Sequence, residues 1–128
     1  MNGILKRTSL VALPIALVAG SLLFAGSASA VTTLSGSVGP GFTISLKKGS
    51  KKVSSLKAGR YRITVRDKSD FHNFHLTGPG VNRRITTVDF TGTKSRTFRL
   101  KKGTYRYVCD FHPAMTGELR VAQEGSKE

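Results

Sequence analysis

The chain has 128 residues, 21 Lys and Arg against seven Asp and Glu, and a formal net charge of +14. A single cysteine excludes an internal disulfide, and only three histidines exclude any centre built from several histidine-rich metal ions. The basic excess points to anionic surfaces such as acidic wall polymers, lipid headgroups or an acidic partner protein. It does not point to nucleic acid, because the chain reads as exported and has no RNA-binding aromatic signature.

Residues 1–30 read as a secretory signal. Lys6 and Arg7 supply a basic start, Leu10 to Ala25 are almost all apolar or small, and Ala28-Ser29-Ala30 is a small-x-small cleavage pattern. A membrane anchor is the competing reading, but Pro14 and Gly20 interrupt the apolar run and the cleavage pattern follows at once. Cutting 30 of 128 residues leaves 98, and loss of Lys6 and Arg7 takes the charge from +14 to +12. The expected product is one domain over 31–128, able to bury roughly two-thirds of its unfolded surface. With no cysteine at the cleavage site to carry a lipid, it should be soluble in a periplasm or outside the cell.

Beyond residue 30 no segment keeps helical apolar spacing for a dozen residues. Phe42 to Leu46 alternates, Lys47 to Lys52 is a basic turn, and Tyr61, Ile63 and Val65 alternate with Arg60, Arg62, Thr64 and Arg66. Asp67 to Asp70 turns into a strand over Phe71 to Thr77, which Gly78-Pro79-Gly80 breaks. Ile85 to Phe90 is a less regular strand candidate. Thr97 to Leu100 and Thr104 to Cys109 flank Lys101-Lys102-Gly103 as a hairpin, and Gly117 to Val121 closes the sheet. Gln123 to Glu128 should fray. Seven or eight short strands at about ten-residue spacing predict an all-β, antiparallel β-sandwich.

The chemistry sits in Cys109-Asp110-Phe111-His112-Pro113-Ala114-Met115. A lone thiol in an exported chain is a dimer crosslink, an inert core residue or a metal ligand. Tyr105, Tyr107 and Cys109 share one strand face, so the thiol should point inward. Thiolate, imidazole and thioether donors suit copper better than zinc, magnesium or calcium. Cys109, His112 and Met115 leave a His₂Cys plane with a weak axial methionine one imidazole short. His72 and His75 are the only candidates. Three apart on a regular strand they face opposite sides, so one metal takes one of them. His72 shares its face with Phe74 and Leu76 and is the favoured ligand; His75 remains the alternative if a bulge shifts the strand.

The run from Gly103 through CDFHPAM to Gly117-Glu118-Leu119-Arg120-Val121 resembles the ligand-bearing end of the cupredoxins, the blue type 1 copper proteins, with a short loop of the amicyanin and pseudoazurin kind. The resemblance implies a Greek-key sandwich and one type 1 copper ion held by His72, Cys109, His112 and Met115. It implies that Asn73 ties the two ligand loops together, and that His112 reaches the surface within an apolar patch formed by Phe111, Pro113, Ala114 and Pro79. His75 has no counterpart in that pattern.

Four protein ligands leave no open position for a substrate, so the expectation is not an enzyme but a monomeric one-electron carrier with a transient redox partner, an acidic one suiting its charge. The alternatives are a copper-binding or delivery protein without redox turnover, and a cationic module that binds an anionic cell-envelope surface on a cupredoxin scaffold.

Overall fold

The computed structural model describes residues 3, 9–16, 20, 21, 23 and 30–124. Lys6, Arg7, Ala28 and Ser29 of the expected signal, and residues 125–128 of the expected frayed end, lie outside the described residues.

Among the described residues ten strands follow one another: β1 (Thr32–Val38), β2 (Ile44–Lys48), β3 (Lys51–Lys52), β4 (Ser55–Lys57), β5 (Gly59–Asp67), β6 (Phe74–Gly78), β7 (Val81–Thr86), β8 (Gly92–Leu100), β9 (Gly103–Cys109) and β10 (His112–Ala122). They form two five-stranded sheets, ordered β3-β2-β1-β5-β8 and β4-β10-β9-β6-β7. There is no helix among the described residues. Alternation explains the layering. In β5 the side chains of Tyr61, Ile63 and Val65 are buried while Arg60, Arg62 and Arg66 are exposed, so one pleat face meets the opposite sheet and the other meets water. Leu34, Val38, Leu46, Phe74, Leu76, Tyr105, Tyr107 and Leu119 fill the space between the sheets. Phe74 and Tyr107 stack there, ring centroids 5.4 Å apart.

The sandwich departs from the sequence expectation in several places. It is not purely antiparallel: β1 runs parallel to β5, and β4 parallel to β10. Both parallel pairs arise because the chain leaves the first sheet after β3, borders the second with β4, and returns as β5. Thr97–Leu100 and Thr104–Cys109 are not a hairpin. β8 pairs with β5 and β9 with β6 and β10, so Lys101 and Lys102 cross between sheets. The Tyr105 hydroxyl fixes this corner, accepting from the Lys101 amide and donating to the Pro79 carbonyl, as a corner tyrosine does. Gly103 turns there at φ 143, a conformation that favours glycine. The third departure is that the strand expected at Ile85 to Phe90 lies earlier, at Val81–Thr86, because the apolar positions Ile85 and Val88 are separated by a turn over 87–90. Finally, β1 has no counterpart in the expectation, since Leu34 and Val38 alternate only with Ser and Gly.

Close packing sets the register of the ligand-bearing hairpin. Gly117 of β10 lies opposite Tyr107 of β9, and a Cβ on Gly117 would lie 2.1 Å from the Tyr107 ring. Only glycine lets that ring lie flat over the neighbouring strand. Gly117→Ala should therefore cost about 2–3 kcal/mol through overpacking, seen as a fall of roughly 10 °C or more in the thermal midpoint. Gly41→Ala, where no atom lies within 4 Å of the added carbon, should leave it unchanged.

Candidate metal centre

The β9–β10 hairpin brings the first two donors together. Cys109 and His112 are its last cross-strand pair, with Asp110 and Phe111 as the turn. Directly paired residues project from the same face of a sheet, so the thiol and imidazole emerge side by side. Beyond His112 the register jumps: Thr116 pairs with Val108, leaving Pro113, Ala114 and Met115 as an inserted bulge. The loop expected from the sequence is thus a tight turn plus a bulge, which bends the strand and re-aims its side chains. Met115 folds inward and is 3 % exposed.

His72 comes from the segment just before β6, outside any strand. Its Nδ1 lies 3.0 Å from His112 Nδ1 and 3.7 Å from Cys109 Sγ, and His112 Nδ1 lies 3.6 Å from that sulfur. His72 and Cys109 are fully buried and His112 is half-buried. Two imidazole nitrogens that close can share one proton, and the buried thiol offers only a weak donor and a weak acceptor. A cation would use all three lone pairs at once. A point roughly 2.0–2.1 Å from all three atoms lies within the triangle, close to metal–nitrogen and metal–sulfur bonds of about 2.0 and 2.3 Å. His72, Cys109 and His112 lie together as a possible copper site.

Asp110 holds the two ligand-bearing segments in place. Its amide donates to Asn73 Oδ1 at 2.9 Å and its Oδ2 accepts from Asn73 Nδ2 at 2.9 Å. Arg84 Nε donates to Oδ2 at 2.7 Å, and His75 Nδ1 lies 2.6 Å from Oδ1. The other His75 nitrogen lies 2.6 Å from Asn82 Oδ1. A register shift does occur between Phe74 and His75, against β7. It leaves Phe74, His75 and Leu76 consecutively buried rather than alternating, and His75 is occupied by Asp110 and Asn82 instead of joining the cluster. Asn73 spans the two segments as the sequence resemblance implied, but the Asp110–Arg84–His75 part of the network carries no signal in that resemblance.

Burial pushes the Asp110 carboxyl up, but hydrogen bonds from His75, Arg84 and Asn73 together outweigh it and hold its pKa at about 2. Behind His72, Asp67 is also buried, and burial raises its pKa against hydrogen bonds from Thr86 and Ser69. Among the described residues, its Oδ2 and the His72 Nε2 are both buried without a hydrogen-bond partner.

Two aromatic rings cover the histidines. The Phe42 ring centroid lies 5.3 Å from that of His72 and 5.0 Å from that of His112, and Phe71 lies 4.2 Å from His72. Phe42 is 69 % exposed and Phe111 66 % exposed. Phe71, Val88 and Phe111, with Asp70 at one side, line the surface beside the half-buried His112, and the Phe42 ring meets it edge-on. Pro79, expected in this patch, is at the opposite end of β6, where its carbonyl accepts from Tyr105. Phe42 takes part in its place. Alternation predicts Phe42 as the start of a strand, and nothing local in the sequence signals that the loop before β2 folds over the site.

No protein-family model matches the sequence, and no curated protein matches it. Among solved structures, a substituted rusticyanin is 25 % identical, with 70 % of this chain and 76 % of that chain covered and a TM-score of 0.50. Rusticyanin described as a copper protein is 22 % identical over 70 % and 76 %, TM-score 0.49, and a substituted amicyanin is 18 % identical over 73 % and 85 %, TM-score 0.49.

Asp110 gives the site a defined acid limit. Its folded pKa is below the ordinary carboxylate value of about 3.9, so its stabilisation is present above roughly pH 4 and lost as pH falls from there towards 2. Urea unfolding between pH 6 and pH 2.5 should show an Asp110-dependent loss of about 1–2 kcal/mol after allowance for partial exposure. Asp110→Asn should flatten that part of the profile; an unchanged acid limb would refute the assignment.

Proposed function

From a chain with the cupredoxin fold, we propose an exported type 1 copper protein that carries one electron at a time. The observation that carries this reading is the triangle of His72 Nδ1, His112 Nδ1 and Cys109 Sγ, at 3.0, 3.6 and 3.7 Å. Two imidazoles and a thiolate suit copper in electron transfer; His72, Cys109 and His112 would hold the ion, with Met115 as a further, weaker donor. Bound copper would supply exchange of a single electron between two oxidation states.

The remaining work is done by the chain's own residues. The Cys109–His112 cross-strand pair, the Asn73–Asp110 double hydrogen bond and the Phe42–Phe71 cover restrain the donors against rearrangement when the charge at the centre changes. Burial of Cys109 and His72 keeps water from the thiol and slows release of an ion, which favours a carrier over a delivery protein. His112 alone among the three donors reaches the surface, inside an apolar rim suited to brief contact with a partner. With His75 committed to Asp110 and Asn82, no histidine remains among the three for a second metal centre, and we place the protein outside the enzymes. Export by the 1–30 signal belongs to the same reading. It is supported by the apolar run of that segment, in which Leu10, Val11, Leu13, Ile15 and Leu23 are exposed.

The protein loaded with copper should show an intense visible thiolate-to-copper absorption. Cys109→Ser should abolish it and His72→Ala should bleach it. His75→Ala should keep the colour while lowering thermal stability through loss of the Asp110 and Asn82 contacts. Retention of the band in Cys109→Ser would refute the site.

A further inference from the structure

The outer face of the first sheet has no place in this account of the copper end. Strand pairing fixes which side chains stand on it: 14 residues, of which six are cations and eight are Ser or Thr. None is acidic and none is apolar. The cations are Lys47, Lys52, Arg60, Arg62, Arg66 and Arg99, and among the described residues none forms an ion pair. Of the described acids, Asp110 at the ligand turn and Glu118 beside Arg120 belong to the second sheet, Asp67 is buried on the inner side of β5, Asp70 and Asp89 stand in loops, and Glu124 follows β10 near the Arg60 and Arg99 end of this face.

Like charges directly opposite each other across strands repel. This face contains two such pairs, Lys47 with Lys52 and Arg60 with Arg99. Between the cations lies a shallow trench of about 350 Å³, floored by hydroxyls including Ser35, Ser37, Ser45 and Thr64 and flanked by Lys47, Arg66 and Lys68. We propose that this face docks an extended anionic polymer of phosphodiester-linked polyol units. Its phosphates would pair with the cations and its hydroxyls with the Ser and Thr floor.

Spacing favours a chain of anions over a single one. At about 3.3 Å per residue, Arg62 and Arg66 stand roughly 13 Å apart along β5, and at about 4.8 Å per strand Lys47 is roughly 10 Å across from it. No compact anion spans that, whereas a polymer meets the cations in turn. A bilayer is disfavoured because the face carries no apolar residue to insert. Single-stranded nucleic acid is disfavoured because no aromatic ring is there to stack a base. The ligand donors all come from the second sheet or its connections, so a polymer bound here leaves the His112 edge free. The proposal does not rest on the electron-carrier reading, because it needs no metal.

The test is binding of the full chain, with and without copper, to poly(glycerol phosphate) across a salt series. Binding should be equal in the two forms, and the visible band of the copper form reports separately on the metal site. The triple variant Lys47→Ser, Arg62→Ser, Arg66→Ser should weaken binding about 100-fold at low salt, taking about 1 kcal/mol per cation, and flatten the salt dependence by two to three units of slope. Lys57→Ser, Arg83→Ser, Arg120→Ser, which removes the same charge from the second sheet, should change it less than threefold. Arg62→Lys, Arg66→Lys should bind within a few-fold of the parent, which separates lost charge from lost folding. Equal losses in the two serine triples would reduce the effect to net charge and overturn the proposal. Tighter binding to phosphatidylglycerol vesicles or to single-stranded DNA than to the polymer would also overturn it.

Discussion

The site depends on one cross-strand pair. Cys109 and His112 are bound to each other's strands at the end of β9–β10, and their side chains share a face only while that register holds. A slip of one residue would send the thiol and the imidazole to opposite sides of the sheet. Two residues away, Tyr107 is pressed against Gly117 with no space for a side chain between them. That contact admits one register. The packing that makes the hairpin stable is therefore the same packing that aims the donors. The three-residue bulge after His112 does not disturb it, because normal pairing resumes at Thr116.

The third donor has to be brought in from a different part of the chain, and a carboxylate does that. Asp110 sits in the turn between Cys109 and His112, and its backbone and side chain both bond Asn73, the neighbour of His72. The two ligand segments meet through a polar residue that is itself held by Arg84 and His75. A partly buried carboxylate with one partner is a liability, while one with three is held ionised and in place. This also explains the spare histidine. His75 is drawn to Asp110 on one side and Asn82 on the other, so its two ring nitrogens face the polar frame beside the cluster of His72, Cys109 and His112.

The alternating strands were legible in the sequence because one pleat face is buried and the other wet. Arg60 to Arg66 and Tyr105 to Cys109 read correctly for that reason. The donor types and their spacing were legible too, since Cys109 and His112 are three apart and a two-residue turn makes such residues partners. What failed depended on contacts distant in the chain. Lys101-Lys102-Gly103 has the composition of a hairpin turn, and the sequence gives no sign that Tyr105 anchors it to Pro79 and sends β8 and β9 into different sheets. Phe42 looked like the start of a strand, and only the tertiary fold lays it over His72 and His112. Alternation around His72 and His75 pointed to His72, but the residue is not on a strand at all. The alternation rule rested on a premise the backbone does not meet.

Charge is partitioned between the sheets, and this bears on how a strongly basic chain stays folded. Repulsion among cations costs stability unless they are spread out or paired. The second sheet pairs some of them, as with Arg84 and Asp110 or Arg120 and Glu118. The first sheet pairs none among the described residues, yet it sets Lys47 beside Lys52 and Arg60 beside Arg99. Buried Tyr61, Ile63 and Val65 on the inner side of the same strands hold it together against that repulsion. The inner face thus permits an outer face with no acid on it. The arrangement divides the molecule by role, with the donors and their acidic anchor on one sheet and an unneutralised cationic surface on the other.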